Sequence, residues 1–169
     1  YSSIIILKDK EKNYQIGNKL FYYVDKNENL SFEKAFKIKN EFVRSEENAP
    51  GFGFTTTVVW CYFNARNDSN KEWYVQNEIP FLYKIDFYII NKAGKVEHLK
   101  SGMSKAYETR SIKVNNCFFP LNLKPGEEKT FFMRAESKTV VMIKINNNLK
   151  GFISTILSVL LEHLVFSIL

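Results

Sequence analysis

GFTTTVVWCYFNARN, residues 53–67, decides how this chain is read. Successive side chains of a strand point to opposite faces, so Val59, Cys61, Phe63 and Ala65 share one side. Val58, Trp60, Tyr62 and Asn64 share the other. The first side is apolar throughout. A strand with its second side in water does not normally put Trp and Tyr there. Either a second layer covers that side, or it forms the floor of a binding groove.

Working outward, the same alternation recurs. Residues 4–7 and 20–24 read as short strands, and 72–76 as another. Across 79–91, Phe81, Tyr83, Ile85, Phe87 and Ile89 face inward while Lys84, Asp86 and Tyr88 face outward. NKAGK (91–95) is a hairpin turn into a strand over 96–99. Cys117, Phe119, Leu121 and Leu123 mark a further inward face, and Pro125-Gly126 a turn. Strands over 129–136 and 139–145 are expected to pair through the turn Glu136-Ser137-Lys138. NLSFEKAFKIK (29–39) departs from this pattern. Ser31 offers a helix cap, and Phe32, Ala35, Phe36 and Ile38 form an apolar stripe. Short strands between turn signals imply an all-β, jelly-roll-like β-sandwich of antiparallel strands, with a short N-terminal helix and a C-terminal helix.

Length and composition narrow the function classes. At 169 residues the chain holds one sandwich, assigned to 1–149. Residues 150–169 are then an amphipathic helix or the start of a first membrane segment. From Phe152 to Leu169 the run is apolar, with Ser154, Ser158, Glu162, His163 and Ser167 as a narrow polar stripe. The N-terminus has neither the basic start nor the cleavage site of a signal peptide. Formal net charge is +6, but the basic residues are dispersed rather than blocked, so no nucleic-acid partner is expected. Cys61 and Cys117 both fall on core faces, where buried thiols are expected and a disulfide is the alternative. His98 and His163 stand apart from other ligand types, and no metal or cofactor is expected.

The order of these motifs resembles the type 2 extracellular domain of bacterial seven-transmembrane receptors with diverse intracellular signalling modules. The resemblance rests on Ile16-Gly17 leading to Tyr22, Tyr23 and Asp25, then on the strand from Trp60 to Asn67. It continues through Trp73, Val75 and Gln76, then Asp86-Phe87-Tyr88, then Gly102 followed eight residues later by Arg110. It closes on Pro125-Gly126 and Phe132-Met133-Arg134. Met103 and Ala106 stand where the family has Asp and Pro. The resemblance implies a jelly roll similar to carbohydrate-binding modules, on the periplasmic or extracellular face of a bacterial inner membrane. It implies sensing of an external small molecule or glycan, and signalling through membrane helices beyond the C-terminus.

Sugar recognition needs flat aromatic surface for the ring and fixed polar groups for its hydroxyls. Trp60, Tyr62 and Trp73 are the candidate platforms; Tyr88 is a lesser one. Arg110 and Arg134 offer fork-shaped donors, and Gln76 both donates and accepts. Each has a structural alternative: core filling for the rings, ion pairing for Arg134, pinning of a loop for Arg110. No pair of carboxylates, nucleophile elbow or phosphate loop singles out a catalytic centre. The expected function is a non-catalytic ligand sensor. The alternative is an interaction or homodimerisation module that uses the aromatic face or the C-terminal helix.

Overall fold

The computed structural model describes residues 4–48, 50, 57–77, 84–102, 117–137 and 143–148. Two sheets pack face to face. The larger contains β3 (Phe21–Asp25), β4 (Val43–Arg44), β5 (Thr57–Asp68), β7 (Lys84–Ile90), β8 (Val96–Ser101) and β10 (Glu128–Ser137), in the order β4-β3-β5-β10-β7-β8. β1 (Ile4–Lys8) also pairs with β5, in parallel, with Ile4 opposite Asn64. The smaller sheet runs β2-β11-β6-β9, from β2 (Asn13–Gln15), β11 (Ile143–Asn146), β6 (Tyr74–Asn77) and β9 (Cys117–Pro120). The sandwich expected from the sequence is the fold observed.

Period-two alternation explains the core. Phe63, Ala65, Ile85, Phe87, Ile89, Phe131, Met133 and Ala135 of the larger sheet meet Val75, Phe119, Ile143 and Ile145 of the smaller one. Stacked rings run through it: Phe63 on Phe131 at 5.0 Å, and Phe87 on Phe119 at 4.9 Å. Cys61 is a free thiol buried in this layer, and burial pushes its pKa up to about 12.

Three expectations need correction. β10 and β11 do not pair: β10 lies between β5 and β7, while β11 lies between β2 and β6 in the opposite sheet. Ile143 and Ile145 face the same core as Met133 and Ala135, but from across it. Not every pairing is antiparallel, since β1 joins β5 in parallel. Finally, the strand over 72–76 is β6 and runs Tyr74–Asn77, with the Trp73 carbonyl just before it accepting from the amide of Leu121. Phe81, Tyr83, Met103, Ala106, Arg110 and the run 152–169 lie outside the described residues.

One segment leaves the sheets. α1 (Phe32–Lys37) starts at Ser31, whose Oγ accepts from Lys34 N at 3.4 Å, and Asp25 Oδ2 holds its entry by accepting from Leu30 N at 2.9 Å. Six residues cannot sustain a helix alone, so packing must hold it. Ala35 is fully buried and Phe32 stacks on Tyr88 at 4.3 Å. A 3-10 turn over Lys39–Glu41 then returns the chain through Phe42 to β4. Among the described residues, no helix is long and apolar enough to cross a membrane.

Gly17, in the family-like Ile16-Gly17 pair, is fixed by crowding. A Cβ there would lie 1.9 Å from the carbonyl oxygen of Asn48. Only hydrogen fits.

Candidate functional site

The side of β5 carrying Trp60 and Tyr62 is the outer face of the larger sheet, away from the smaller one. Cross-strand partners share a face, so each rung of the sheet can be followed across its strands. One rung reads Tyr23, Trp60, Arg134, Asp86, Lys100. The next reads Arg44, Phe21, Tyr62, Phe132, Tyr88, His98. One half of this face is covered by a further layer, and the other is open.

The half around Trp60 is covered. Trp60 is 0% exposed and clusters with Ala35, Phe42, Val58, Ile90 and Phe132 beneath α1 and its following turn. Its ring stacks on Tyr88 at 6.0 Å. Its ring therefore packs the layer between sheet and helix and presents no surface to solvent. Its indole Nε1 has no hydrogen-bond partner among the described residues.

Beside it the charged groups are engaged with one another. Arg134 Nη1 lies 3.3 Å from Glu136 Oε2 and 3.9 Å from Asp86 Oδ2. Asp86 Oδ1 is 2.8 Å from His98 Nε2, and His98 stacks on Tyr88 at 4.2 Å. The fork of Arg134 is thus taken up by carboxylates. Burial and then the nearby Asp86 charge raise the Tyr88 pKa to about 12.

The half around Tyr62 is open. A hollow of about 400 Å³ is lined by Phe21, Lys39, Asn40, Phe42, Tyr62, Asn64 and Thr130. That volume lies within the roughly 300–1,000 Å³ usual for small-molecule sites. Phe21, Tyr62 and Phe132 stack across three strands at 4.9 and 5.2 Å, and Phe42 meets Tyr62 at 5.4 Å with its plane turned by 64°. Thr130 Oγ1 donates to Asn64 Oδ1 at 2.7 Å, fixing one polar wall. Lys39 and Asn40 form the other, delivered by the turn after α1. Partial burial raises the Tyr62 pKa, so its hydroxyl stays protonated at neutral pH. The hollow combines aromatic carbon, amides, hydroxyls and one ammonium.

The remaining candidates lie elsewhere. Trp73 is 3% exposed, packs against Tyr14 at 5.5 Å, and donates from Nε1 to Ser69 Oγ at 2.8 Å. Ser69 in turn donates to Asn67 Oδ1, whose Nδ2 donates to the carbonyls of Lys71 and Leu123. Trp73 also lines a separate hollow of about 360 Å³, with Glu72, Tyr74, Pro120, Asn122, Leu123 and Lys124. Gln76 sits in the smaller sheet, buried, with Oε1 accepting from Asn146 Nδ2 at 3.0 Å. The structure therefore brings Trp60, Tyr62 and Arg134 onto one sheet face, and separates Trp73 and Gln76 from them. Phe21, Lys39, Asn40, Phe42, Asn64 and Thr130 were not singled out by sequence. The apolar stripe of 32–38 signals a helix that must pack on something, but it does not name these residues. Among the described residues no group of three or more His, Cys, Asp or Glu side chains is placed to hold a metal ion.

Two facing sheets, the larger with an aromatic outer face, define an all-β sandwich. The model of the 7TMR-DISM extracellular 2 family matches residues 17–146, most of the chain, and the chain belongs to that family. It is an extracellular domain of the seven-transmembrane receptor type. No curated protein matches the chain.

Proposed function

We infer that this domain is a non-catalytic sensor that binds a small molecule or glycan outside the membrane and serves a bacterial signalling receptor. The observation that carries this reading is the open hollow at Tyr62. There aromatic rings, amides and hydroxyls line an open hollow on the outer face. The family supports the extracellular setting, and the ion-paired state of Asp86, Arg134 and Glu136 supports a binding rather than a proton-transfer role for this face. Binding stabilises the folded state by mass action. A thermal-shift screen with sugars and small acids is therefore expected to give a hit. Asn40→Trp, at an exposed turn position, fills the hollow from its rim and is expected to abolish that hit. A hit that survives Asn40→Trp with unchanged affinity refutes the assignment.

A further inference from the structure

We propose that the hollow at Tyr62 selects a ring-bearing ligand that carries a carboxylate, such as a uronic acid, over its neutral counterpart. This rests on the reading of the hollow as the ligand site and adds the charge of the ligand.

Two cations of the outer face already have acidic partners. Arg134 is held by Glu136 and Asp86. Arg66 is bidentate to Asp68, with both contacts at 2.7 Å. A carboxylate arriving from solvent would have to displace one of these acids. Lys39 and Arg44 make no ion pair with a described residue, and unlike Lys84 and Lys100, which also make none, they lie at the hollow rather than on the far strands β7 and β8.

Lys39 belongs to the hollow, and Arg44 lies beside it. Lys39 lines it directly, with its ammonium 5.3 Å from the centroid of the Phe36 ring. Arg44 is the cross-strand partner of Phe21, which lines it too, so Arg44 lies on the same face at the neighbouring strand. No described lining residue is acidic; Glu41, the closest acid in sequence, belongs to the turn but not to the lining. Among the described residues the hollow thus has one lining cation, a second on the strand beside it, and no lining carboxylate. Its Phe21, Phe42 and Tyr62 rings suit the apolar face of a sugar or aromatic ring, and its amides and hydroxyls suit ring substituents. A carboxylate on that ring supplies the counter-charge that the fold leaves out.

The test is isothermal titration of the intact domain with D-glucuronate, D-galacturonate and benzoate against D-glucose and D-galactose. Either a uronate or benzoate is expected to bind at least about tenfold more tightly than the neutral sugars, and to weaken as salt is raised. Uronate binding identifies an acidic sugar, and benzoate binding alone identifies an aromatic acid; both support a carboxylate ligand. Lys39→Gln is expected to remove most of that preference, and Arg44→Gln part of it, while Lys92→Gln on the distant hairpin leaves it intact. Neutral sugars that bind as well as the acids, unaffected by Lys39→Gln, overturn this inference but leave the site standing. Carboxylate binding that ignores both Lys39→Gln and Asn40→Trp overturns the inference and the site together.

Discussion

Replacing Trp60 separates its packing from its polar atom. The side chain is fully enclosed between sheet and α1, and its Nε1 has no partner among the described residues. Trp60→Ala empties that layer, and truncating a buried aromatic costs about 3–5 kcal/mol. Trp60→Phe is a different experiment. It loses part of the ring, about 2 kcal/mol at roughly 0.8 kcal/mol per buried methylene equivalent. It also relieves an indole N–H whose unpaired burial costs about 1–3 kcal/mol. The two changes oppose each other, and Trp60→Phe is expected to fall within about 1 kcal/mol of the parent protein. The assay is urea unfolding followed by circular dichroism, with the slope checked to be unchanged so that midpoints report stability. For a chain of this size, the alanine variant is expected to lose on the order of 6–20 °C in Tm. A phenylalanine variant destabilised by more than about 3 kcal/mol means that the N–H has a partner, and refutes the orphan. An alanine variant within about 1 kcal/mol of the parent means that Trp60 is not a pillar of this layer.

Two further outcomes follow from the same structure. Gly17→Ala places a methyl 1.9 Å from the Asn48 oxygen and 2.3 Å from its carbon, backbone atoms that cannot rotate away. A loss of at least about 1–3 kcal/mol is expected in urea unfolding, and parent-like stability contradicts the close approach. Tyr88 and Tyr74, each shifted to about 12 mainly by burial, bear on alkaline stability. In each the folded pKa is raised above the unfolded 10.0, so the stabilising contribution is complete below pH 10.0 and drains away as pH rises towards about 12. Cys61 adds to the loss with the same sign. Unfolding free energies measured from about pH 9 to about pH 11 are expected to fall, and less steeply for Tyr88→Phe; identical slopes contradict the assignment.

How much of this was legible depends on the range of the interaction. Alternation at Ile85, Phe87 and Ile89 names the core face correctly, because burial of one sheet side is a local property of a strand. Ser31 as a cap and residues 91–95 as a turn are legible for the same reason: both close hydrogen bonds within five residues. Partner choice is not local. Nothing in 128–137 and 143–146 tells that they belong to opposite sheets, since both bury alternate apolar residues in one core. β2, three residues with only Tyr14 partly buried, has too little pattern to register. The site shows the same limit. Tyr62 was legible as an aromatic on a second face, but the hollow needs Phe21, Lys39, Asn64 and Thr130 from four separate segments. Trp60 and Tyr62 look equivalent in sequence, two residues apart on one side. α1 makes the difference, because it covers one and leaves the other open.

The most direct measurement of the central claim is a ¹⁵N-resolved titration of the domain with D-glucuronate, followed amide by amide. The largest shifts are expected at Lys39, Asn40 and Phe42, at Phe21, and at Tyr62 and Asn64, all saturating with one affinity. Shifts concentrated instead at Trp73, Tyr74 and Asn122, with the residues around Tyr62 unmoved, would contradict it.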